Sequence, residues 1–141
     1  MPGTGVLGGD YDYVPSATGL LVSLKNAALV TFFCVGADTY TLKSAATYNG
    51  TPSALPTIST YYTNSSLTGA GSWAEQAQAN ASSITIASGM AMFTVDGADL
   101  PAGAEYVEVT VGGSGVVHAI FGDLSSPRQP QNMPARSGSA S

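Results

Sequence analysis

With 141 residues, 44% of them hydrophobic and only 9% charged, the chain is long enough for one domain with a sizeable core and too apolar to be natively disordered. A net charge of −5 and an isoelectric point near 4.3 exclude a phosphate-backbone binder, which needs clustered Lys and Arg, so nucleic acid is not an expected partner. An ordinary domain carries about 25% charged residues; here Ser, Thr, Asn, Gln, Gly and Tyr must form the surface, and so little charge points to burial against a partner or further copies.

Residues 1–18 are rich in Gly, Pro and Tyr and read as an N-terminal arm, with Tyr11 to Val14 the only part able to pair as a short strand. Gly3-Thr4-Gly5-Val6-Leu7-Gly8 matches GxGxxG, but a dinucleotide fingerprint needs a strand before it, and only two residues precede Gly3. No basic segment followed by an apolar one opens the chain, so no secretory signal is expected. The longest apolar stretch is about ten residues against the roughly 20 that cross a bilayer, so no membrane partner is expected.

Residues 19–124 read as a β domain. Gly19 to Leu24 and Ala28 to Gly36 are predicted strands, because Leu29 to Val35 is too β-branched and aromatic to prefer helix, with Lys25-Asn26-Ala27 as the bend between them. The single cysteine, Cys34, lies inside this run; it permits neither an intramolecular disulfide nor a thiolate metal cage and is expected in the core. From Thr39 to Ser44 the side chains alternate, Tyr40 and Leu42 on one face and Thr39, Thr41 and Lys43 on the other, after a turn marked by Asp38. Ala45 to Pro56 has loop chemistry, and Ile58 to Asn64 is the next strand, followed by a turn from Asn64 to Gly71. Ala and Gln between Ser72 and Ala79 favour helix while the alternation favours strand, and strand is preferred.

Ser83 to Ala87 precedes the most regular stretch, Met90 to Leu124, which reads as a β-meander of three strands. Val107, Val109 and Val111 are expected to face the core and Glu108 and Thr110 to face water. Gly112-Gly113-Ser114-Gly115 permits the positive φ that a tight hairpin needs before Val116 to Phe121 resumes the apolar pattern. The resulting fold class is all-β, an antiparallel sandwich or barrel of about eight short strands with extended arms at both ends.

Residues 125–141 form the second arm. Pro127, Pro130 and Pro134 forbid a helix and favour an extended course, and the arm carries Arg128 and Arg136, whereas all nine acidic residues lie between Asp10 and Asp123. Arg128, Pro130, Met133, Pro134 and Arg136, with Tyr11 and Tyr13 in the other arm, are the expected partner-binding residues.

Catalysis is not expected: His118 is the sole histidine, shares a face with Val116 and Ile120, and no GxSxG nucleophile elbow exists. The carboxylate pairs Asp10/Asp12 and Asp96/Asp99 lack the further oxygen ligands that a hard cation requires, so neither metal nor cofactor is expected. Tyr61, Tyr62 and Trp73 are candidates for a sugar platform, although such residues more often serve the core or a subunit interface.

Taken in order, the Phe32-Phe33 strand, Asp38-Thr39-Tyr40-Thr41-Leu42, Tyr61-Tyr62-Thr63-Asn64 with Gly69-Ala70-Gly71-Ser72-Trp73, Val95 to Leu100, Tyr106 to Val111 and the closing Asp123 to Pro134 resemble small head proteins of tailed bacteriophages that decorate or cement capsids. The resemblance covers most of residues 28–134 and does not extend to the N-terminal arm. It implies a non-enzymatic structural protein on the outer surface of the virion capsid. The implied partners are the major capsid protein and other copies of the chain, a trimer being one such arrangement. The alternative is a tail or fibre component, or a receptor-recognition module that binds carbohydrate.

Overall fold

The computed structural model describes residues 11–16, 21–24, 27–47, 51, 57–68, 70–97, 100 and 104–124. They form β1 (Tyr11–Ser16), β2 (Val22–Ser23), β3 (Ala27–Val35), β4 (Asp38–Ala45), β5 (Ile58–Asn64), β6 (Ala74–Ala81), β7 (Ser83–Ile86), β8 (Met90–Asp96), β9 (Tyr106–Val111) and β10 (Val116–Leu124). All pairings are antiparallel, in a six-stranded sheet of order β1-β10-β3-β8-β5-β6 and a four-stranded sheet of order β2-β9-β4-β7. The two sheets pack as a sandwich. The Ala- and Gln-rich β6 is strand, as the alternation predicts: its register against β5 and the sheet's edge position override a weak helix propensity.

Alternate residues of each strand fill the space between the sheets. The six-stranded sheet contributes Val30, Phe32, Cys34, Ala91, Phe93, Val95, Val117, Ala119 and Phe121; the other contributes Val22, Tyr40, Leu42, Ile84, Ile86, Val107 and Val109. Phe32 and Phe93 are Cα partners in the ladder, and their rings lie 5.5 Å apart at 35°. A fully buried side chain of this kind contributes about 1.5–3 kcal/mol, so the central strands dominate stability.

Three expectations are corrected. Met90 to Leu124 is not a meander: β8 and β10 lie in the six-stranded sheet with β3 between them, and β9 lies in the other sheet. Gly112 to Gly115 is therefore a crossing between sheets, and among the described residues the glycines with positive φ are Gly36 (105°) and Gly89 (80°). Alternation looks the same whether the chain turns back beside itself or crosses over, so the pattern did not separate the two. Glu108, expected in water, is 3% exposed, and Thr110 is half-buried. Glu108 sits opposite Lys43 on the outer face of the smaller sheet, beside the buried cluster of Leu21, Ala45 and Tyr106, so that face is covered at this end. Of the strand expected over Gly19 to Leu24, the described residues 21–24 hold Val22–Ser23 as strand, and Tyr11–Ser16 pairs along β10 as an edge strand of the larger sheet, in keeping with the short strand expected over Tyr11 to Val14.

Val109 is completely buried. Val109→Asp is expected to cost about 3–5 kcal/mol by stranding a charge in the core, while Thr85→Asp, on the exposed side of β7, stays close to wild type. Urea unfolding of both variants checks this; equal midpoints would contradict the assigned register.

Candidate functional site

The central strands of the larger sheet are apolar on both sides. With Phe32, Cys34, Phe93 and Val117 turned inward, Phe33, Val35, Met92, Met90, Val116, His118 and Ile120 lie on the opposite, outer face. The register aligns them in rows across the strands. One row runs through all six: Pro15, His118, Phe33, Met92, Tyr62 and Glu75. To one side lie Val116, Val35, Met90 and Asn64, and to the other Tyr13, Ile120, Thr31 and Thr94. Glu75, at the edge, is the only carboxylate in these three rows. Tyr13, Val116 and Tyr62 are 49%, 50% and 38% exposed, and Phe33, Met92, Ile120 and His118 are half-buried.

Polar atoms on this face are mostly paired with each other. The Tyr13 hydroxyl lies 2.6 Å from His118 Nδ1, the two rings stacked at 5.8 Å; the Thr31 and Thr94 hydroxyls are 2.9 Å apart; and the Tyr62 hydroxyl donates to Glu75 at 3.3 Å. What remains to offer a partner is aromatic, aliphatic and thioether surface, suited to apolar burial. The smaller sheet presents the opposite chemistry: Thr39 pairs with Thr85 at 3.0 Å and Thr41 with Ser83 at 2.8 Å, a hydroxyl-lined surface suited to water.

One end of the sandwich is held by a carboxylate. Asp38 accepts hydrogen bonds from the backbone N–H of Thr39 (2.8 Å), Gly113 (2.9 Å) and Gly115 (2.8 Å). These donors, Gly115 first and then Thr39, stabilise the charged form and hold the Asp38 carboxyl below its ordinary value. Beside it the buried Tyr40 hydroxyl is shared between the carbonyls of Gly36 (2.7 Å) and Val35 (3.0 Å). Its ring lies so close to Gly115 that a Cβ there would sit 2.2 Å from the hydroxyl oxygen. Burial, with smaller contributions from Cys34 and Asp38, pushes the Tyr40 phenol up to about 12, and burial pushes the Cys34 thiol up to about 12, so both stay protonated at neutral pH. Among the described residues no three His, Cys, Asp or Glu side chains gather to hold a metal ion.

Of the residues expected to bind a partner, Tyr13 lies on the outer face and Tyr11 lies in β1 of the same sheet. Arg128, Pro130, Met133, Pro134 and Arg136 lie outside the described residues. The three aromatics weighed as a sugar platform are split: Tyr61 packs against the core, whereas Tyr62 and Trp73 are exposed. Phe33, Met92, Val116 and Ile120 were missed as site residues. Their signal is present in the sequence, because Leu29 to Val35 and Val116 to Phe121 are apolar at odd and even positions alike, the mark of a strand covered on both sides.

No family model matches the chain, and no curated protein matches it significantly. A solved structure, that of the SPBc2 prophage-derived protein YomS, is similar at a TM-score of 0.42 and 18% identity over 79% of this chain and 92% of that one.

Because Asp38 is held below its ordinary carboxyl value of 3.8, its contacts stabilise the fold above that pH and are lost as the pH falls through the folded-state value. Asp38→Asn removes the charge and turns an amide N–H₂ toward backbone donors. The variant is expected to melt below wild type at neutral pH, with the gap narrowing as the pH falls below 3.8 and through the folded-state value, as thermal melts from neutral to acid pH will show. A gap independent of pH would mean that the charge is not what holds this end.

Proposed function

We propose that the protein is a non-enzymatic structural component of a bacteriophage virion, bound to the outer surface of the capsid, where it decorates major capsid subunits and ties them together. The observation that supports an assembly role is the outer face of the larger sheet: three rows of largely apolar side chains with one carboxylate at the rim, on a chain with only 9% charged residues. Contiguous apolar surface of this kind is costly in water and is buried against protein in an assembled particle. The assignment to a capsid follows from the order of strand and turn motifs that resembles phage decoration proteins. The separation of Tyr61 from Tyr62 and Trp73 weighs against the sugar-binding alternative.

In this reading the body supplies contacts between copies, and residues 125–141 attach the protein to the shell through Pro127, Pro130, Met133, Pro134, Arg128 and Arg136. The last strand residue is Leu124, so deleting Ser125 to Ser141 removes nothing from the described sheets. The truncation is expected to melt within a few degrees of wild type, to bind undecorated capsids at least about tenfold more weakly, and to lose most of the salt sensitivity that Arg128 and Arg136 confer. Capsid co-sedimentation at low and high salt, alongside a melt of each form, tests this. Equal binding by both forms would remove the arm from the attachment.

A further inference from the structure

We propose that the outer face of the six-stranded sheet is covered by the same face of a second copy, about a two-fold axis that runs along the strands between β3 and β8. The proposal rests on reading this face as a buried assembly surface, and it names the occupant.

The row that crosses the sheet is self-complementary about its middle. Its centre lies between Phe33 and Met92, which are neighbours in the ladder. Rotation about an in-plane axis parallel to the strands reverses the strand order, so β3 of one copy stacks on β8 of the other, β10 on β5, and β1 on β6. Phe33 then meets the second copy's Met92, a thioether against an aromatic ring, and does so twice. His118 meets Tyr62, and Pro15 meets Glu75. The two Glu75 carboxylates fall at opposite margins, so like charges do not face one another across the centre, and each approaches the end of the row where the other copy's His118 and Tyr13 lie. A small sheet packed on its own copy in this way forms an isologous interface, the commonest kind.

The area fits a weak dimer. One row crosses six strands and two cross four, which at ~4.8 Å between strands and ~6.8 Å between rows gives roughly 450 Å² per copy. The roughly 900 Å² buried in total lies below the roughly 1,200–2,000 Å² of specific, stable interfaces, so the dimer is expected to be weak and concentration-dependent. The outer face of the smaller sheet is lined by paired hydroxyls at one end, Thr39 with Thr85 and Thr41 with Ser83, and covered at the other by the cluster of Leu21, Ala45 and Tyr106.

The test is analytical ultracentrifugation of the full chain and its variants across a micromolar concentration series, with a thermal melt of each variant to confirm folding. Wild type is expected to dimerise. Met92→Glu is expected to weaken the dimer by about a hundredfold or more, and Thr85→Glu, on the hydroxyl face, to leave it unchanged. His118 and Tyr62 lie three strands apart in one copy but face each other across the proposed axis. His118→Glu and Tyr62→Lys should each weaken the dimer, and the double variant should recover at least tenfold of the loss. A monomeric wild type, a dimer indifferent to Met92→Glu, or a double variant no tighter than the single ones overturns the proposal. Capsid binding measured in parallel separates it from decoration: a monomer that binds shells overturns the dimer alone, and a dimer that ignores shells overturns decoration alone.

Discussion

The carboxylate of Asp38 ties together two of the places where the chain passes between its two sheets, β3 to β4 and β9 to β10. β3 leads to β4 through Gly36 and Ala37, β7 to β8 through Ala87 to Gly89, and β9 to β10 through Gly112 to Gly115, all at the same end of the sandwich. Asp38 begins β4 and binds the N–H groups of Gly113 and Gly115; Tyr40, two residues on, binds the carbonyls of Val35 and Gly36; and Gly36 N–H donates to the Gly89 carbonyl at 2.8 Å. A short crossing leaves backbone donors and acceptors with no ladder partner, and buried groups of that kind must be satisfied. One carboxylate and one phenol meet that requirement for two crossings, and the Gly36 N–H ties in the third. Gly115 and Gly89 are needed because a Cβ at either would fall within 2.2 Å of Tyr40 or Asn64 atoms.

With the crossings fixed at one end, the register of every central strand follows, and with it the two outer faces. Gln78 secures the opposite edge: its amide donates to the carbonyls of Ile58 and Ser83, at the register shift between β5 and β6 and at the first residue of β7. The two sheets are thereby joined at both ends, and their surfaces differ in chemistry. Hydroxyls face outward from the smaller sheet, while rings, thioethers and aliphatic groups face outward from the larger one. A chain with few charges has little other means of directing its contacts, and segregating apolar from hydroxylated surface supplies the direction.

Much of this was legible in the residues. Tyr40 and Leu42 alternate against Thr39 and Thr41 as read, Cys34 is buried within its apolar run, and β5, β6, β7 and β8 lie where the alternation puts them. The β8, β9 and β10 arrangement was not legible, because period-2 patterning reports which side of its own sheet a residue occupies and is silent on which sheet that is. Glu108 shows the same limit: it does point away from Val107 and Val109, but the far side of the sheet is covered there by Leu21, Ala45 and Tyr106. Asp38 was read as a turn residue, and its role as a clamp depends on Gly113 and Gly115, some seventy-five residues away, which no local pattern connects. The outer face was written into Leu29 to Val35 as apolar residues at every position but Thr31, a signal for coverage on both sides that names no occupant.

The topology also fixes where the arms attach. Tyr11 pairs with Gly122 and Leu124 with Ala27, so β1 begins and β10 ends side by side, at the end of the sandwich opposite the Asp38 clamp. Residues 1–10 and 125–141 are thus joined to one rim of the body. A two-fold axis along the strands preserves strand direction along that axis, so in the proposed dimer both rims point the same way and four arm attachments face one surface. An axis across the strands would turn the two rims apart. Under the proposed attachment through residues 125–141, pairing would raise avidity without any new contact, because the second arm would bind at the effective concentration set by the first. Such pairing suits a low-charge body to a partner surface repeated many times over, as the proposed shell is.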